Sequence, residues 1–222
     1  MASKVFRFVE EIIIRKYRQE DRQAVRDIAW QTAFMGVSAD AYFTDKEVLS
    51  DFLTLIFTDF EPESSFVACK GDEAIGYLIG SRDIGALMKR HGAGIGLRLI
   101  FKALFRGVFF RKKNLVFIRS ILRSLFKGEL KEPDLSAEYP ATLHINLCDG
   151  FRAGGIGSRL ISAYFGYLRQ GGVSGVHLAT FSEKASVFFR KQGFNLVFEG
   201  HRSYFRYIIG KDSVISVFGK KL

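Results

Sequence analysis

Apolar and polar positions along this chain switch between two periods, one of two residues and one of about three and a half. Residues 12–17 begin with Ile12, Ile13 and Ile14, a short β-branched run that reads as a strand. Residues 19–34 carry Val25, Ile28 and Ala29 at helical spacing and close on Gly36. A second helical pattern covers 46–60, with Val48, Phe52, Leu55 and Ile56 on one expected face and Thr44 or Asp45 as its cap. The apolar runs 65–70 and 74–80 flank Gly71-Asp72-Glu73, the pattern of a β-hairpin. Residues 95–110 and 115–126 are rich in Leu, Ile and Phe. Arg98, Lys102 and Arg106 recur every four residues in the first, as do Arg119, Arg123 and Lys127 in the second. This predicts two helices, each with a broad apolar face and a narrow basic stripe. Gly92, Gly94 and Gly96, just before them, read as a helix boundary or hinge. Glu132-Pro133-Asp134 ends the segment. The remainder predicts a strand at 141–147, a helix at about 155–169, a strand at 176–181, a helix at 183–192, and two strands at 194–208 and 213–218 joined at Gly210-Lys211-Asp212.

This order is that of a mixed α/β domain. With 222 residues, 3 prolines and no low-complexity linker, the chain is expected to be one domain, 1–222, with an insertion at about 84–135. A hydrophobic content of 48% with 25% charged residues excludes a disordered chain. Two cysteines, Cys69 and Cys148, exclude a disulfide framework and favour a reducing compartment. No run of about 18 apolar residues predicts a spanning helix, and Glu10 and Glu11 interrupt the N-terminus too early for a signal peptide. The expected location is cytoplasmic. The net charge of +10 is concentrated: residues 89–131 hold twelve basic residues and one acid, Glu129, while the rest of the chain is nearly neutral.

The chemistry is concentrated in residues 143–158, where an apolar strand runs into a loop and the loop into a helix. Helix N-termini expose unpaired N–H groups and partial positive charge, which suits a phosphate. Gly155 and Gly157 remove side chains where an anion must approach backbone, and Arg152 adds charge beside them. The same residues also suit a plain strand-to-helix turn.

Arg152-Ala153-Gly154-Gly155-Ile156-Gly157 resembles motif A of the GCN5-related N-acetyltransferase (GNAT) superfamily, which wraps the pyrophosphate of coenzyme A. Downstream, Ala185-Ser186-Val187-Phe188-Phe189-Arg190-Lys191-Gln192-Gly193-Phe194 resembles motif B of that superfamily. The resemblance covers about 11–83 and 139–219. Tyr139-Pro140-Ala141-Thr142-Leu143-His144-Ile145 also looks like a subgroup that includes the acetyltransferase-like domain of O-GlcNAc hydrolases. The resemblance implies a mostly antiparallel central sheet, helices on both faces, and a parallel strand pair that splays apart around the pantetheine arm. It implies acetyl-CoA as cofactor, held by Leu147, Cys148, Asp149, Arg152, Ala153, Gly154, Gly155, Ile156, Gly157 and Ser158, and by Ser182, Ala185, Phe188, Phe189 and Lys191. No metal is expected. A backbone N–H near Leu147 would polarise the thioester carbonyl, and a primary amine would attack directly.

Strand alternation puts Thr142, His144 and Asn146 on one face and Leu143, Ile145 and Leu147 on the other. His144 is thus a candidate general base, or else a histidine bonded within a half-buried sheet. Glu138 and Asp149 are weaker candidates for the base. Where motif B often supplies a proton-donating tyrosine, this chain has Phe189. Either the thiolate leaves without a fixed acid or takes a proton from water or another tyrosine, or the site binds acyl-CoA without efficient turnover. The expected function is acetyl-CoA-dependent N-acetylation of a small-molecule or peptide amine. The alternative is a noncatalytic acyl-CoA-binding or membrane-associated module. Three readings remain open for 89–131: packing on the domain or on a second copy in a homodimer, contact with an anionic membrane, or recruitment of an acidic substrate. The wide apolar faces fit nucleic acid poorly.

Overall fold

The computed structural model describes residues 11–152 and 154–222. The first ten residues and Ala153, expected in the cofactor loop, lie outside the described residues.

Strand β1 (Ile12–Lys16) leads into α1 (Arg22–Thr32) and α2 (Lys46–Phe60), then the hairpin β2 (Phe66–Lys70) and β3 (Glu73–Ser81). Helices α3 (Ile84–Phe105) and α4 (Lys112–Phe126) follow, then β4 (Ala141–Leu147), α5 (Ile156–Gln170), β5 (Gly175–Thr180), α6 (Glu183–Lys191), β6 (Asn195–Arg202), the short α7 (Arg206–Ile209) and β7 (Ser213–Lys221). The seven strands form one sheet in the order β1-β2-β3-β4-β5-β7-β6. Each neighbouring pair is antiparallel except β4–β5.

Period-two strands give the sheet two apolar faces. On one, Leu78, Leu143, Val176, Leu178 and Phe218 pack under α5 and α6, whose Ile156, Leu160, Tyr164 and Phe189 point down onto them. On the other, Val67, Tyr77 and Ile79 meet Val25 and Ile28 of α1 and Ile56 and Phe57 of α2. Asp45 caps α2, its carboxylate accepting from Val48 N at 3.1 Å. Phe52, expected on the buried face of α2, is instead 66% exposed.

Two further expectations are corrected. The glycines at 92, 94 and 96 do not form a boundary: α3 begins at Ile84 and runs through them. The strand expected over 194–208 stops at Arg202, and α7 intervenes before β7. Phe205 causes the break, because it turns inward to a cluster with Phe34, Tyr42 and Phe117.

The basic helices are fastened to α2 by charge. Lys102 Nζ lies 2.6 Å from Asp51 and Arg106 Nε lies 2.8 Å from Asp45. Arg26 of α1 pairs with the same Asp51 and, at 2.6 Å, with Glu47. Buried Asn114 fixes the α3–α4 elbow, accepting from Thr44 N at 2.9 Å and donating to Val108 O at 3.1 Å. At the far end Glu129 accepts from Ser124 Oγ and from Ser203 N and Oγ. The segment therefore packs on the domain: Lys102 of its stripe is half-buried against Asp51, while Arg106 pairs with Asp45 at the surface and Arg98, Arg119, Arg123 and Lys127 remain exposed.

Candidate active site

Strands β4 and β5 pair in register only at Ala141–Val176 and Thr142–His177. Beyond Thr142 they part, although β4 continues to Leu147 and β5 to Thr180. On its other side β4 stays paired with β3 along its length, and Cys148 N donates to Ile75 O at 2.8 Å. Backbone N–H groups alternate sides along a strand, so the N–H groups of Ile145 and Leu147 face the gap toward β5. The gap thus offers an open edge of backbone donors, which suits an extended amide-bearing chain and an acyl carbonyl oxygen.

At the open end of β4 the chain turns through Gly150 and enters α5. Gly155 is the N-cap, held at φ +72, a conformation that L side chains adopt at a cost. It brings no side-chain cap, and the first helical bond runs from Arg159 N to Gly155 O. The N–H groups of Ile156, Gly157 and Ser158 therefore have no acceptor within the helix. An anion there meets three donors and the positive end of the helix dipole. Gly157 answers a different need: a Cβ there would stand 3.0 Å from Phe188 Cζ. This close approach, together with the bond from Gln192 Nε2 to Ser158 Oγ at 2.9 Å, locks α6 against α5.

The residues expected at the site separate into groups. Leu147, Gly154, Gly155, Ile156, Gly157 and Ser158 surround the open end of β4 and the start of α5. Cys148 is half-buried beside them, its thiol pKa raised by burial, and Asp149 is exposed. Arg152 is exposed too. Its Nη2 donates to Gly36 O at 2.7 Å, which ties the loop after α1 to the glycine loop. In α6, Ser182 is the N-cap and accepts from Ala185 N at 3.3 Å, so both serve the helix start. Phe188 lies against Gly157 and is only partly buried. Phe189, expected against the cofactor, is instead 5% exposed in the core beside Phe194 and Phe218. A nine-residue helix shows one face to the sheet, and Phe189 occupies it. Lys191 is exposed at the C-terminal end of α6.

The other face of β4 carries the candidate base. His144 stands 5.5 Å, ring to ring, from Phe57 of α2, and part of the residue is exposed. Burial, with a smaller contribution from the charge of His177, lowers its pKa below the usual histidine value. Next along that face, Asn146 Nδ2 donates to the Tyr77 hydroxyl at 2.8 Å. The period-two reading of β3 alone gave no sign of Tyr77 at this position, because its partner lies across the sheet. Burial raises the Tyr77 pKa, so the phenol is protonated throughout the ordinary pH range.

No family model matches the sequence, and no curated protein matches it significantly. Solved structures do. The chain is similar to SsHAT (24% identity, TM-score 0.65, covering 95% of this chain and 98% of the other). It is similar to a polyamine N-acetyltransferase of Drosophila melanogaster (13% identity, TM-score 0.57, 96% and 100% covered). It is also similar to YncA of Salmonella typhimurium, solved with acetyl-CoA (11% identity, TM-score 0.54, 95% and 94% covered). At these identities the likeness is one of fold.

Proposed function

We propose that this chain, which has the fold of the GNAT acetyltransferases, binds an acyl-CoA across the β4–β5 gap and transfers its acyl group to a primary amine. The observation that carries the reading is a coincidence of two features at one place. Among the described residues the one parallel pair of the sheet opens, and the strand that lines the opening leads through the glycine loop into a helix N-terminus with no side-chain cap. The donor set fits a pantetheine arm ending in a pyrophosphate.

The N–H groups of Ile156, Gly157 and Ser158 hold the pyrophosphate, and Arg152 supplies charge beside it. The N–H of Leu147 orients the acyl carbonyl and steadies negative charge that develops on its oxygen. The thioester, when bound, supplies an acyl group already activated toward a neutral amine. His144 Nε2 or Nδ1 accepts the amine proton, directly or through water, and its lowered pKa keeps the ring neutral and ready. An acetyl group is the acyl chain proposed, and a small-molecule or peptide amine the acceptor. Fold relatives that acetylate agmatine and polyamines support an amine acceptor as a class.

Phe189 favours a second reading. With phenyl rings at both Phe188 and Phe189, this part of α6 offers no proton donor to a leaving thiolate. In this second reading the site binds acyl-CoA without turning it over. Calorimetry with CoA, followed by thiol release from acetyl-CoA across a panel of amines, tests both. Binding with release supports transfer. Binding without release from any amine supports the second reading, and no binding defeats both.

A further inference from the structure

We propose that the outward surface of α3, α4 and their elbow docks on an anionic lipid bilayer, lying on it without crossing it. These helices expose large apolar side chains and cations together. Lys102 is half-buried against Asp51 and Arg106 pairs with Asp45 at the surface, so both are neutralised and fix α3 in place, while large apolar residues are turned out. Phe105, Phe110 and Phe126 are 90%, 86% and 87% exposed, and Leu97, Ile100 and Leu104 on α3 are also exposed. Burial of apolar surface is the main gain in folding, so rings left in water on helices this well anchored indicate a partner.

Charge selects the partner. Among the described residues, Arg98, Lys112, Arg119 and Arg123 have neither an ion pair nor a side-chain hydrogen bond, although they flank those rings. Arg119 and Arg123 fall on the same exposed side of α4 as Leu115, Leu122 and Phe126. A second copy of the chain would bring a like-charged surface against this one, since 89–131 holds one acid, Glu129, already engaged by Ser124 and Ser203. Nucleic acid matches the charge but not the phenylalanines. Anionic lipid matches both: phosphate headgroups meet the arginines while the rings enter the acyl boundary. Among the described residues no helix is long and apolar enough to cross a membrane, which agrees with a surface mode of contact.

The test is flotation of the full chain with vesicles of phosphatidylcholine alone and with about one-third phosphatidylglycerol, at low and high salt. The expected result is at least tenfold stronger partition onto the anionic vesicles, weakened by salt. The triple variant Phe105→Ser, Phe110→Ser, Phe126→Ser should lose at least tenfold, and Arg119→Glu with Arg123→Glu should lose as much, with melting temperatures unchanged because all five side chains are solvent-facing. A Phe105→Trp variant should show a blue-shifted emission on anionic vesicles, separable from the buried Trp30. No partition of the folded chain overturns the proposal, as does partition that both variants leave unchanged. Dimerisation in sedimentation that the serine variant abolishes, without vesicle binding, assigns the surface to a second copy. Retention on duplex DNA, without vesicle binding, assigns it to a nucleic acid.

Discussion

Gly154 and Gly157 stand three residues apart and answer to different constraints. A side chain at Gly157 would press on Phe188, so any substitution there disturbs the α5–α6 contact as well as the ligand. At Gly154 a Cβ meets only Ile156, at an ordinary 3.9 Å. Gly154→Asp therefore sets a carboxylate beside the open N-terminus of α5 without steric cost. It should weaken CoA binding by roughly a hundredfold or more while the melting temperature stays constant or rises slightly, as acids near a helix start do. Calorimetry with a thermal melt checks both halves. His144 yields a pH signature. Its lowered pKa means that kcat/KM should hold as pH falls through 6.5 and drop only below it, where the ring gains its proton. His144→Ala should cost roughly 10²–10⁴-fold and remove that acidic limb. A pH profile of thiol release that keeps the limb in the variant would move the role to another group.

At the scale of elements, the ion pairs between α2 and α3 carry the most strained balance of forces. Arg26 and Asp51 are both almost completely buried, and Lys102 shares the same carboxylate. Asp51→Ala leaves the buried Arg26 with Glu47 alone and removes the partner of Lys102, and should cost about 3–5 kcal/mol in urea unfolding. Lys102→Met, which replaces a cation by an apolar side chain of similar length, should cost far less. The same helices show where sequence reading succeeds and fails. The hairpin, α2 with its Asp45 cap, and the strand–loop–helix unit of β4 and α5 were legible, because local pattern and tertiary demand agree there. The first half of α3 was not legible: Gly92, Gly94 and Gly96 read as breakers, yet the helix continues, carried by Leu87 in the core and by the bonds of a helix already begun. The direction of the basic stripe was also hidden, since periodicity gives a face but not its orientation. Phe52 and Phe105 lie outside while Lys102 is half-buried, because the acid that attracts this cation, Asp51, lies about fifty residues away in α2.

At the scale of the molecule, the sheet is one continuous layer in topology but not in strength. Six register positions join β3 to β4 and six join β5 to β7, while two join β4 to β5. Sequence motifs around residues 152 and 188 pointed to the ligand that would occupy this gap, whereas the two-position seam became visible only when both strands were placed. Amide hydrogen exchange should find β4 and β5 beyond Thr142 and His177 among the least protected strand residues, and CoA should slow exchange there more than in β2 or β3. Uniform slowing across the sheet would argue against a seam. The seam also links this protein to its surroundings. A ligand that bridges two loosely joined halves holds the fold shut, and at a hundred times its dissociation constant any such ligand adds about 2.7 kcal/mol. Resistance to proteolysis, and through it the protein's abundance, would then follow the cell's supply of such a ligand, so that the chain is retained when the ligand is plentiful and cleared when it is scarce.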